Sequence, residues 1–275
     1  MTEMIRTPVS RGFYSFNRRK LNEDIKNMFE TVEDTNIKPK GVIVPHAGYR
    51  YSGRTAAYAY KALKNKEIKN AIILGFNHSG SGEKAAISTK TWKTPLGAVK
   101  VNSDISEKLL ENELFKEDEI AHEREHSIEV QLPFLQYIYP NIKIVPISLS
   151  KEMRVEDIKS ISKTLRDIDY EENILIASSD LLHVGYQFDL TPKEDNLKYL
   201  QREEEKFMNK IKEMNVQEII NFGLKTTICG YIPIATTIET LKDQISKIKI
   251  LNKSNSYEVT RDKSSIVGYV SIALF

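Results

Sequence analysis

Five histidines and a single cysteine are the residues of this chain best suited to chemistry: His46, His78, His122, His126, His183 and Cys229. Three of the histidines lie just beyond apolar, β-branched runs. Val42-Ile43-Val44-Pro45-His46 and Ile72-Ile73-Leu74-Gly75-Phe76-Asn77-His78 each end in an imidazole. Leu175-Ile176-Ala177-Ser178-Ser179-Asp180-Leu181-Leu182-His183 delivers an aspartate and a histidine past a third run. In open α/β sheets ligands bind beyond the carboxyl ends of the strands. Three strand ends that each supply imidazole therefore converge on one crevice if the strands are neighbours. Imidazole is a ligand for zinc, copper, iron and nickel. Asp180 either joins the ligands or accepts a ring N–H and fixes a tautomer. Cys229 follows Thr226-Thr227-Ile228, where Thr227 reads as a helix cap. A thiol in the first turn of a helix feels the positive helix end and is driven toward thiolate. Taken alone it reads as a small buried hydrophobe; beside three histidines it reads as a ligand. Tyr49 and Tyr51, close after His46, read as pocket walls or as packing with a wet hydroxyl.

A second constellation competes. Residues 122–126 spell His-Glu-Arg-Glu-His, the zinc-protease pattern in which two histidines one helical turn apart grip a metal. That geometry exists only on a helix. Arg124 and Glu125 are charged, and Ser127 reads as the cap of a helix with Glu129 in its first turn. The motif then falls in a loop, where one-turn spacing has no meaning. A zinc hydrolase on His122 and His126 is accordingly the remote alternative.

These residues need strands and helices to position them. Residues 41–45, 71–75, 143–149, 173–178, 247–251 and 266–275 read as buried strands. Residues 17–32, 52–63, 155–168, 196–214 and 228–245 carry helical periodicity, with Ser52 as the expected cap of the second. Residues 85–88 and 98–101, around Thr94-Pro95-Leu96-Gly97, are expected to form a hairpin. Apolar strands alternating with helices predict a mostly parallel or mixed central sheet covered on both faces, a three-layer α/β/α sandwich. No repeat or low-complexity linker interrupts residues 1–275, so a single domain is expected.

Composition removes several function classes. Forty basic against 38 acidic residues leave a charge of +2, too balanced for an electrostatic nucleic-acid binder. The longest uncharged apolar stretches fall short of the ~18 residues of a spanning helix, so no membrane role is expected. With no apolar core near the N-terminus and one cysteine, a cytoplasmic location is the expectation. The phosphate-binding loop, the dinucleotide fingerprint and the nucleophile-elbow motif are all absent.

Several motifs resemble a known family. Pro45-His46-Ala47-Gly48-Tyr49-Arg50-Tyr51-Ser52-Gly53, Gly75-Phe76-Asn77-His78 and Glu125-His126-Ser127-Ile128-Glu129-Val130-Gln131-Leu132-Pro133-Phe134 are similar to Memo-family signatures. So are Ser178-Ser179-Asp180-Leu181-Leu182-His183, Cys229-Gly230 and Val267-Gly268-Tyr269-Val270-Ser271. The resemblance runs in one order from Arg6 to Phe275. It implies the fold of the class III extradiol dioxygenases, which are non-haem iron enzymes. It places His46, His78 and Cys229 at metal-binding positions, with His183 as an acid/base and Asp180 beside it. Tyr49, Asn77, Ser179 and His126 belong to the same motifs and complete the expected pocket. The family pattern offers a cysteine where the dioxygenases use a carboxylate. A thiolate is softer and suits copper(I), zinc or iron in a different redox range. Iron or copper is the expected metal, zinc less so. Ser10-Arg11-Gly12-Phe13-Tyr14-Ser15 departs from the family's usual opening. The implied activity is redox chemistry on a small molecule. The alternative is a non-catalytic module that holds a peptide or protein in the cleft. Family association adds a radical-SAM protein as a partner for prokaryotic members.

Overall fold

The structure, a computed structural model, describes residues 4–275. Its strands are β1 (Ile5–Arg6), β2 (Gly41–Val44), β3 (Asn70–Phe76), β4 (Ala85–Ile87), β5 (Thr91–Thr94) and β6 (Gly97–Val99). The chain continues with β7 (Phe115–Glu117), β8 (Lys143–Leu149), β9 (Asn173–Ser178), β10 (His183–Gly185), β11 (Ile248–Asn255) and β12 (Ser265–Leu274). The helices are α1 (Arg18–Glu30), α2 (Tyr49–Leu63), α3 (Ser103–Leu110), α4 (Leu132–Ile138) and α5 (Val155–Arg166). They are followed by α6 (Asn196–Lys212), α7 (Val216–Gly223), α8 (Tyr231–Leu241) and α9 (Tyr257–Thr260).

The large sheet runs β10-β12-β2-β9-β3-β8-β4-β7, with β11 on β12. Its centre, β2, β9, β3 and β8, is parallel. The flanks turn antiparallel where β12 meets β2, β10 and β11 and where β4 meets β8. Alternation along the central strands sorts side chains to two faces. Ile43, Ile72, Leu74, Leu175 and Ala177 join the core formed with α5 to α8. Val42, Val44, Ala71, Ile73, Ile174 and Ile176 join the core formed with α1, α2 and α4. The expected α/β/α sandwich with a mixed sheet is therefore present. In α1 the spacing of Leu21, Ile25 and Phe29 puts three buried side chains on one stripe. Full burial of such a side chain stabilises by about 1.5–3 kcal/mol.

Three local expectations change. Residues 85–87 do not pair with 98–101: β4 joins the large sheet between β8 and β7, and the hairpin is β5–β6, which also pairs β1. The turn chemistry was correct and the partner strand was not, because pairing across the fold leaves no local mark. Ser52 does not cap α2, which begins at Tyr49 after Gly48; the Ser52 hydroxyl donates to Ala47 O at 2.9 Å. The expected helix over 228–245 is shorter, Tyr231–Leu241, and α7 precedes it.

Candidate metal centre

β2, β9 and β3 are adjacent, so their carboxyl ends bring His46, Asp180 and His78 to one edge. Gly230 completes the arrangement. A Cβ there would meet Ser179 Cβ at 2.3 Å and Ser178 O at 2.7 Å, so only glycine lets the chain entering α8 press onto the end of β9. Cys229 is thereby set beside His46, with Sγ 3.1 Å from Nε2. One ligand atom each from His46, His78 and Cys229 falls within a mutual 4.8 Å.

The hydrogen bonds around these groups determine which atoms are free. The Ser178 hydroxyl donates its one proton to Ser127 O at 2.6 Å. Its oxygen therefore accepts from Gln131 Nε2 at 2.9 Å and from His46 Nδ1 at 3.1 Å. His46 is thus held as the Nδ1–H tautomer, and the Nε2 lone pair faces Cys229. His78 repeats the device with another partner. Its Nδ1 lies 3.0 and 3.1 Å from the two Glu125 oxygens, and its backbone N–H also donates to Glu125 Oε2 at 2.8 Å. Glu125 Oε1 further accepts from Ser127 N at 2.7 Å. A carboxylate that receives these N–H groups accepts but does not donate, so Nε2 of His78 is the free nitrogen. Such outer hydrogen bonds orient metal-ligating histidines and raise their basicity.

The electrostatics agree with ligation. Burial pushes the Cys229 thiol up, but His46 and His78 pull it down to about 5. Burial works against the charged form of His78, yet its bonds to Cys229 and Glu125 raise it to about 10. Glu125 is held well below the usual carboxylate range: burial opposes this, and His78 and His126 outweigh it. Without a metal these shifts favour a thiolate and a protonated ring, and a dication taken up there would displace the protons and free both Nε2 atoms.

His183 and Asp180 stand beside the cluster on a cavity of about 570 Å³. His183 Nδ1 donates to Thr227 O at 2.9 Å. Its backbone N–H donates to Thr227 Oγ1, and that hydroxyl donates back to His183 O. Thr227 is therefore a clamp on His183 and not the helix cap the sequence suggested. Asp180, 4% exposed, spends Oδ1 on the amides of His46 and Ala47. His126 lies on the cavity wall, its ring 4.6 Å from that of His78 and 4.5 Å from that of Phe13. Burial and the neighbouring histidines lower it to about 3.

The remaining expected pocket residues support the site from behind. Tyr49 is buried and donates its hydroxyl to Val130 O. Asn77 ties the loop after β3 by donating to Ser81 O and accepting from Ser79 and Gly80. Ser179 is fully buried, its hydroxyl on Asp180 O. Residues 122–126 form no α-helix, as expected, and His122 and His126 share no ligand group among the described residues. His122 is fully buried, with its Nε2 donating to Ala86 O. Ser127 does not cap a helix either: a 3-10 turn over Glu129–Gln131 intervenes, and α4 starts at Leu132.

Sequence reasoning missed Glu125 and Phe13. Glu125 stands 47 residues from His78, so nothing local marks it as a partner. Phe13 reaches the cavity because Glu129, fully buried, accepts from Val9 N, Ser10 N, Tyr14 Oη and Arg6 Nη1 and fixes the N-terminal segment.

Residues 6–273 match the family model described as Memo-like protein. A Thermoplasma volcanium protein named as MEMO1 family is 38% identical over 98% of both chains. The chain belongs to the Memo-like family. Other Memo-family relatives include an Aquifex aeolicus protein, 35% identical over 98% of each chain. One from Nitrosopumilus maritimus is also 35% identical, over 98% of this chain and 99% of its own. Among solved structures, an uncharacterized Escherichia coli K12 protein matches at a TM-score of 0.53 and 12% identity. It covers 84% of this chain and 98% of its own, a likeness of fold alone. Among the described residues of this Memo-like chain, no helix is long and apolar enough to cross a membrane.

Proposed function

We propose that this Memo-like protein is a metal-dependent redox protein that binds iron or copper through His46, His78 and Cys229. One observation carries the reading: three donor atoms from three separate segments lie within 4.8 Å, and both imidazoles have the opposite nitrogen committed to another partner. Two neutral imidazole nitrogens and a thiolate form a donor set that suits a borderline or soft metal. Three protein ligands leave a coordination position for a substrate, the pattern of catalytic sites. Bound there, the metal would supply Lewis acidity and an electron-transfer centre.

The chain's own residues do the rest. Ser178 and Glu125 hold the two rings so that Nε2 of each faces Cys229. His183, its Nδ1–H fixed on Thr227 O, presents Nε2 to the cavity as a proton acceptor or donor. Asp180 braces the turn that carries His46 and adds negative charge beside the centre. Phe13 and His126 form the wall of the cavity beside the cluster. We take the fold as class III extradiol dioxygenase-like with a thiolate in place of the carboxylate ligand, and the grouping of His46, His78 and Cys229 supports this. A cytoplasmic setting suits a single thiolate ligand.

The test is metal content by mass spectrometry on anaerobically purified protein, wild type beside His46→Ala and Cys229→Ser. About one equivalent of iron or copper in the wild type, lost in both variants, is expected. Metal-free protein that resists loading with iron, copper and zinc overturns the reading.

A further inference from the structure

The cavity extends well past the Cys229 cluster, and away from the histidines its charged side chains are carboxylates. Asp180 and Asp262 line it, and no lysine or arginine does among the described residues. Asp180 is more than nine-tenths buried. Its Oδ1 takes two amides just before α2, which meets the positive end of that helix. Its Oδ2 makes no hydrogen bond to the described protein and is not sealed in, so it opens on the cavity. Asp262, an exposed residue, accepts from Ser264 N at 2.7 Å through Oδ1. The Ser264 hydroxyl and amide hold its carboxyl below the usual range. Neighbouring cations are engaged elsewhere. Lys263 pairs with Asp195 at 3.0 Å, and Arg50 and Arg261 lie over the rings of Tyr51 and Tyr257. Phe13, Tyr51, Phe188 and Tyr269 line the same cavity.

Carboxylates set among aromatic faces recognise organic cations, through charge and through the ring quadrupole. We infer that the ligand of this cavity is a small molecule with a protonated amine and an aromatic or apolar body, its ammonium received by Asp180 and Asp262. The inference rests on the metal-centre reading only in making this ligand the molecule on which that centre acts. Anionic ligands meet two like charges at Asp180 and Asp262, and positive charge only at the His46–His78–Cys229 cluster.

Tryptamine and indole-3-acetate carry the same ring with opposite charge and serve as probes. Each is titrated calorimetrically into the whole protein at neutral pH, as purified and after chelator treatment, with metal content measured on the same samples. Tryptamine should bind at least about tenfold more tightly than indole-3-acetate. Asp180→Asn keeps an oxygen for the two backbone amides, and with Asp262→Asn it should erase the preference at an unchanged unfolding midpoint. Equal or tighter binding of indole-3-acetate overturns the inference. So does the absence of binding by either probe at millimolar concentration, or a preference that survives the double replacement. Protein that is metal-free as purified, resists loading with iron, copper and zinc, and still prefers tryptamine contradicts the metal reading alone. A metalloprotein without the preference contradicts this inference alone.

Discussion

Strands β2 and β9 end in polar clusters at both extremities, and the two clusters treat their hydrogen bonds differently. At the amino ends, Lys66 is buried and its ammonium donates to Pro39 O, Tyr170 O and Asn173 O. Three donors meet three carbonyls and nothing is left over. At the carboxyl ends, each imidazole spends one nitrogen on the protein and keeps the other. Asp180 likewise spends one oxygen and keeps one. A saturated cluster ties strands together; one with spare valences turned toward a cavity is equipped to bind. The two ends share strands, so the difference between them is one of side-chain chemistry.

The contrast can be broken from either end. Lys66→Met leaves three carbonyls without their donor and should cost about 3 kcal/mol in urea unfolding. Metal stoichiometry should stay that of the wild type; a loss of metal would mean the amino end is not purely structural. Glu125→Gln acts at the other end. It removes the charge that holds His78 and puts a donor where backbone N–H groups need an acceptor. Metal affinity should fall about 10- to 100-fold in competition with a chelator. An unchanged affinity would show that His78 is oriented by something else.

Glu204 of α6 tests an intermediate case, a buried carboxyl with Lys253 Nζ at 2.9 Å and no well-formed hydrogen bond. Burial raises it to about 7 from its ordinary 4.5, against the pull of Lys253. The folded state then holds the proton more tightly than the unfolded chain does. The stability this contributes is fully present below pH 4.5 and is lost as pH rises toward 7. Relative to Glu204→Gln, wild-type stability should therefore decline across that window, by at most about 1.4 kcal/mol per pH unit. A difference that stays flat or rises would contradict the assignment. The smallest effect is expected away from both ends. Asn17 caps α1 by accepting from Lys20 N at 3.0 Å, so Asn17→Ala should cost about 1 kcal/mol and leave the site untouched.

The same contrast explains what could be read from the sequence. The central strands were legible because β-branched runs such as 71–75 and 173–178 are apolar on both faces. The positions of His46, His78 and Asp180 followed from where those runs stop. Cys229 entered through its motif and its company, since a lone thiol before a helix carries no ligand signal. The outer partners were not legible: Ser178 and Gln131, and Glu125 and His78, meet only after strands far apart in sequence pack together. Tyr49, Asn77 and Ser179 share motifs with His46, His78 and His183 but turn their polar atoms to backbone carbonyls or loops. Proximity in sequence places a residue near a strand end and does not decide which way its side chain faces. The β5–β6 hairpin shows the same limit, with a recognisable turn and an unrecognisable partner.

The central claim is that Cys229 ligates a metal together with His46 and His78. X-ray absorption spectroscopy on the metal-loaded protein, wild type beside Cys229→Ser, tests it most directly. A sulfur scatterer with two imidazole nitrogens in the wild type, and the sulfur alone lost in the variant that retains metal at high loading, is the predicted result. A wild-type first shell of nitrogen and oxygen only would contradict it.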